Sequence, residues 1–176
     1  MLNARSILED AGVQPGMRVA EFAPSRTGHF PFAASPIVGE EGAVFAVHLL
    51  QDVLHDIEGH ARVRGLKNVW PIRGDFERIG GVGLEDGLLD MILLAHALPH
   101  LQDDAGFAGE LERLLKPDGK IVVIDWHPEA DHPLSPHSDH CAHPDNVEYV
   151  FAHHGIARER WIDPADTHWG AVFRIA

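Results

Sequence analysis

The run LLKPDGKIVVIDW, residues 114–126, decides the fold. Its first residues close a helical pattern over Asp104–Leu115, with Asp103 or Asp104 at the N-cap. Pro117 and Gly119 stop that helix: proline lacks a backbone N–H, and glycine favours the left-handed cap. Lys120–Asp125 then reads as a strand with no polar alternation, the signature of a strand buried on both faces of a parallel sheet. Working outward, comparable short apolar runs occupy Arg18–Phe22, Ala43–Val47, Val69–Arg73 and Asp90–Ala95. Helical spacing lies around them at Leu2–Ala11, His29–Val38, Asp52–Arg64 and Asn146–His154, stopped by Gly12, Gly39, Gly65 and Gly155. Strand and helix alternate five times, and then Ala157–Ile162 and Gly170–Ile175 come as a pair. This order predicts one α/β domain over residues 1–176: a doubly wound, mostly parallel seven-stranded sheet, helices on both faces, and a closing antiparallel hairpin.

With 176 residues the chain is long enough for one domain with a real core. Acidic residues outnumber basic ones 27 to 14, for a net charge of −13, which disfavours nucleic acid or an anionic membrane as partner. No apolar run reaches the roughly 18 residues that span a bilayer. The start, MLNARSILEDAG, lacks the apolar stretch of a secretory signal. A single cysteine, Cys141, fits a reducing compartment, so the expected location is the cytoplasm. Histidine is abundant, with 14 residues, half of them between His127 and His154.

VAEFAPSRTGHF, residues 19–30, is the handover from the first strand to its helix. Nucleotide-type folds place several glycines at this junction, because backbone must approach the ligand closely. Here Ala23, Pro24, Ser25, Arg26 and Thr27 precede the first glycine, Gly28.

Several pieces together carry a resemblance: LEDAGVQPGMRVAEF, VGEEGAVFAVHLLQDVL, GLKNVWPIRGDFERI, DGLLDMILLAHALPHLQD, ELERLLKPDGKIVVIDW and THWGAVFRI. In order and spacing they resemble the class I S-adenosylmethionine-dependent methyltransferases, in particular the small bacterial and archaeal group related to the ubiquinone/menaquinone C-methyltransferases. The resemblance runs from about Ile7 to Ile175. It implies a Rossmann-like sheet with S-adenosylmethionine across the C-terminal strand ends, and a small-molecule acceptor beside it.

Carried over residue by residue, the resemblance assigns cofactor contacts to Glu21, Ala23, Ser25, Gly28, His48, Leu49, Asp75, Phe76 and Ala95. Glu21 matches the family's acidic residue after the first strand. Ala23 and Ser25 take the first two glycine places of the family's GxGxG loop, and Gly28 the last. Pro24 removes an N–H there, and Arg26 is placed either to fold over the cofactor carboxylate or to fill its site. Asp75 matches the residue that receives the adenine amino group, with Phe76 available to pack on the ring. His48 stands where the family has a carboxylate that accepts from both ribose hydroxyls. A neutral imidazole has one acceptor nitrogen and is expected to hold one hydroxyl. His96, just past the fourth strand, is the candidate general base, with His100 and His29 as further candidates.

The segment HSDHCAH, residues 137–143, offers His137, His140, Cys141 and His143 as possible transition-metal ligands, although its spacing matches no recognised zinc motif. The plainer reading is a solvated lid loop. Three functions follow: methyl transfer to a small acceptor, a non-catalytic protein that keeps the fold, or a metal-binding protein built on the same scaffold.

Overall fold

A computed structural model describes residues 2–133 and 135–176. The described residues form helices α1 (Ala4–Ala11), α2 (His29–Val38), α3 (Gln51–Val63), α4 (Asp104–Leu114) and α5 (Pro144–His153). The strands are β1 (Arg18–Phe22), β2 (Ala43–His48), β3 (Val69–Arg73), β4 (Leu89–Ala95), β5 (Leu115–Trp126), β6 (Ile156–Ala165) and β7 (His168–Ile175). They make one seven-stranded sheet in the order β3-β2-β1-β4-β5-β7-β6. The first five are parallel, and β7 lies antiparallel to both β5 and β6. This is the α/β, Rossmann-like sheet with a C-terminal antiparallel pair that the alternation predicted.

The central strands are apolar throughout because both faces are covered. Val19, Val44, Met91, Leu93 and Val122 point to one side, where Ile7 and Leu8 of α1, Phe30 of α2 and Ile57 of α3 pack on them. Ala20, Phe22, Ile92, Leu94, Ile121 and Val123 point to the other, against Phe107 and Leu111 of α4 and Phe151 of α5. Asn3 caps α1 by accepting from the Ser6 N–H, and Asp103 caps α4 by accepting from that of Gly106. These caps place both helix starts at the end of the sheet where the strands finish.

One connection departs from strict alternation. Between β3 and β4 the described chain forms turns and no helix. The backbone groups that a helix would have satisfied internally are served by α4. Glu110, fully buried, accepts from the N–H groups of Gly80 (2.7 Å) and Val82 (2.9 Å). Arg113 pairs with Glu110 through both a guanidinium nitrogen and Nε, and also donates to the carbonyls of Val82 and Leu84. Burial alone would raise the Glu110 carboxyl, but the bonds from Arg113, Val82 and Gly80 outweigh it and hold it ionised, below its usual range.

Strand order reverses between β1 and β4: the chain leaves β1 toward β2 and β3, then crosses back to β4. A crevice opens at such a switch point, outside the carboxyl ends of the strands.

Candidate active site

Among the described residues two that are not glycine adopt left-handed backbone, and both stand at this switch point. Ala23 (φ 55°) follows β1 and His96 (φ 58°) follows β4. Each holds its place by a backbone bond, Ala23 N–H to the Val47 carbonyl and His96 N–H to that of Ile124, both 2.9 Å. The left-handed region costs an L-residue roughly 1–2 kcal/mol, so the surrounding sheet imposes both turns. Ala23 has taken the conformation for which a glycine is the usual residue.

Glu21, near the end of β1, is 4 % exposed, and its Oε2 is buried with no hydrogen-bond partner. Burial pushes its carboxyl up to about 8, so near neutral pH it holds a proton. A buried, unpartnered carboxyl oxygen beside a ligand loop calls for a cation or a donor.

After Glu21 the loop is a tight turn closed by the Gly28 N–H on the Ser25 carbonyl, 2.9 Å. Gly28 (φ 63°) is the start of α2, and a Cβ there would meet the Phe32 ring at 2.5 Å. Here the backbone does require glycine. The N–H groups of Ser25, Arg26 and Thr27 make no hydrogen bond among the described residues. Arg26 turns to α3 instead, with N–O distances of 2.5 Å to Asp52 and 2.9 Å to Asp56. Its guanidinium is thus engaged by two carboxylates.

His48 ends β2. Its Nδ1 accepts from the Leu50 N–H at 2.9 Å. The acceptor expected to hold a ribose hydroxyl is therefore spent, and the neutral ring carries its proton on Nε2. Burial, aided by the charge of Arg26 and opposed by Asp52, lowers the ring below its usual range and keeps it neutral. The polar group His48 leaves free is a donor, where the sequence led to the expectation of an acceptor. Leu49 (48 % exposed) and Leu50 (55 % exposed) hold apolar surface open beside it; Leu50 was missed in the sequence.

Asp75 follows β3, and its Oδ1 accepts from the Glu77 N–H at 3.1 Å, leaving Oδ2 available. Phe76 is 8 % exposed. It is buried in the core, stacked on Phe22 at 5.0 Å between centroids and edge-on to Phe107. Ala95, the last residue of β4, is buried at the crevice floor.

On the far side of the switch point, His96 Nε2 lies 3.1 Å from Nε2 of His168, the first residue of β7. His168 Nδ1 lies 2.8 Å from Thr167 Oγ1. The Trp126 ring lies 4.1 Å from the His168 ring, and His132 lies beyond Trp126 at 5.9 Å. Burial is the main cause lowering both dyad rings, His168 to about 4; His29 adds to the effect on His96, and His96, His127 and His132 to that on His168. His168 escaped sequence reasoning because its place depends on the register that pairs it with Trp126 across β5 and β7. Asp125, ending β5, is 1 % exposed with Oδ2 unpartnered, and burial raises its carboxyl to about 7. The side chain of His100 lies outside the described residues.

The His-rich segment does not gather into a metal centre. Among the described residues no three His, Cys, Asp or Glu side chains come together to hold an ion. A single 3-10 turn at Ser138–His140 leaves His137, His140 and His143 exposed, and the Cys141 thiol donates to the His137 carbonyl. Nor, among those residues, is any helix long and apolar enough to cross a membrane.

The family model described as Methyltransferase domain matches residues 25–169. The ubiquinone/menaquinone biosynthesis C-methyltransferase UbiE of Shewanella piezotolerans is 29 % identical over 123 residues, 69 % of this chain and 47 % of that protein. The chain thus spans about half the length of the curated relatives it matches. A SAM-dependent methyltransferase from Aquifex aeolicus superposes with a TM-score of 0.90 at 24 % identity, covering 99 % of this chain and 90 % of its own. A putative O-methyltransferase from Nostoc punctiforme superposes with a TM-score of 0.75 at 21 % identity, over 97 % of this chain and 55 % of its own. At these identities the two structures establish the shared fold.

Proposed function

The chain belongs to the methyltransferase-domain family, and from that premise we propose that it transfers a methyl group from S-adenosylmethionine to a small-molecule acceptor. The observation that carries this reading is Glu21. Its unpartnered oxygen belongs to β1, and the loop that follows this strand carries the unbonded N–H groups of Ser25, Arg26 and Thr27. A buried anion-forming group next to exposed donors suits a zwitterion: Glu21 for the ammonium, the loop N–H groups for the carboxylate of the methionine tail. His48 Nε2–H would donate to a ribose oxygen, Leu49 and Leu50 would cover the sugar and base, and Asp75 Oδ2 would receive the adenine amino group.

When bound, S-adenosylmethionine supplies a methyl group on a sulfonium sulfur that departs with the bonding electron pair. The protein's main contribution is proximity and orientation. Where the acceptor atom carries a proton, His96 takes it, its ring held neutral by burial. The lone thiol of Cys141 suits a reducing compartment such as the cytoplasm.

Calorimetric titration with S-adenosylmethionine and S-adenosylhomocysteine tests the reading. Near neutral pH, Glu21 must lose its proton to meet the ammonium, so binding is expected to release close to one proton, measured as a dependence of the heat on buffer ionisation. No binding at millimolar ligand would sink the reading. Asp75→Ala should weaken binding, and unchanged affinity would remove Asp75 from the adenine site.

A further inference from the structure

We propose that His168 is a positioning residue that holds His96 in the tautomer whose Nδ1 carries a free lone pair. The proposal rests on the methyl-transfer reading for its purpose, but its geometry stands alone. Two Nε2 atoms 3.1 Å apart share one proton between them. With that proton on His96, Nε2–H donates to His168 and Nδ1 of His96 is left as a base; it makes no bond among the described residues. His168 must then carry its own proton on Nδ1, where Thr167 Oγ1 stands 2.8 Å away to accept it. Trp126 packs against the His168 ring at 4.1 Å, tilted by 37°, and limits its rotation. The row Thr167–His168–His96 thus does with a neutral ring what a carboxylate does behind many catalytic histidines: it sets the tautomer and receives a bond from the imidazolium. The acceptor's proton goes to Nδ1 of His96, while Nε2–H stays bonded to His168. The charge of a protonated His29 opposes protonation of His96, and those of His96, His127 and His132 oppose that of His168, so a second positive charge is disfavoured and the pair takes up one extra proton at a time.

Long-range proton–nitrogen NMR of isotopically labelled protein, above the titration of both rings, reads each tautomer without an acceptor. The wild type is expected to show His96 with its proton on Nε2. His168→Ala should mix the two tautomers of His96. His168→Gln, whose amide oxygen can replace the acceptor, should restore the single form, and Thr167→Val should loosen it partly. Affinity for S-adenosylhomocysteine, read by calorimetry, should stay within about twofold in all three variants. A His96 proton on Nδ1 in the wild type, an unchanged tautomer in His168→Ala, or stoichiometric metal between the rings would overturn the proposal. Failure of the wild type to bind S-adenosylhomocysteine would overturn methyl transfer and leave the tautomer result to be judged by itself.

Discussion

On the β1–β2 side of the crevice, Glu21 keeps an oxygen without a partner, and Ser25, Arg26 and Thr27 keep their N–H groups unbonded. On the β4–β7 side, Thr167, His168 and His96 bond one another in a row. Both sides begin with a left-handed residue just past a strand, so the backbone device is the same. The difference lies in what is left unsatisfied. The first side is electrostatically incomplete and gains most from a charged ligand. The second has its histidines bonded in a row, with Asp125 Oδ2 left unpartnered, and that row is organised before any acceptor arrives.

The largest expected effect tests that incompleteness in the free protein. The Glu21 carboxyl ordinarily titrates at 4.5 and in the folded chain at about 8. The folded state therefore binds the extra proton between those values. Its stabilising effect is complete below the lower value and is lost as pH rises through the upper one. Asp125, raised from 3.8 to about 7, acts with the same sign. The melting temperature should fall from mildly acid to alkaline pH, and Glu21→Gln should flatten the corresponding loss of stability by an amount on the order of 5 kcal/mol. An identical pH profile in the variant would mean that Glu21 is not the buried, partnerless group described. In the same variant, affinity for S-adenosylhomocysteine should drop by about tenfold or more, as for a lost charged hydrogen bond.

A smaller effect sharpens the contrast from the ribose side. His48→Asp adds a carboxylate to the incomplete half, with one oxygen for the Leu50 N–H and one for a hydroxyl. S-adenosylhomocysteine should bind about tenfold tighter. No gain would show that the Leu50 N–H, not the ribose, claims the new group. The smallest effect concerns the shared backbone device. Ala23→Gly relieves the left-handed strain and gives back part of it as unfolded-chain entropy, for a net gain of about 0.5–1 kcal/mol in denaturant unfolding. A loss of stability would show that the Ala23 methyl packs favourably enough to outweigh its φ.

The strands were legible because burial on both faces removes polar alternation, and AVFAV, DMILLA and KIVVID have none. The helix stops were legible where glycine takes positive φ, as at Gly12 and Gly65. The β3–β4 connection broke the expected alternation because its hydrogen bonds come from Glu110 and Arg113, some thirty positions away and silent in local pattern. The site divides the same way. Glu21, His48 and Asp75 could be singled out because each lies at or just past the end of a recognisable strand. What His48 does could not, since it depends on one N–H two residues on. That Phe76 stacks on Phe22 could not be read either, since the two lie on different elements. His168 needed the β5–β7 register, and a pairing partner is the information a single strand lacks.

The clasp that Glu110 and Arg113 place on the β3–β4 turns ties the order of assembly to the middle of the chain. The turns of residues 74–88 bond in part among themselves, but the N–H groups of Gly80 and Val82 find their partner only once α4, which follows them in synthesis, has docked. The amides of Gly80 and Val82, although close to the surface turns, should exchange with solvent only when α4 leaves the sheet.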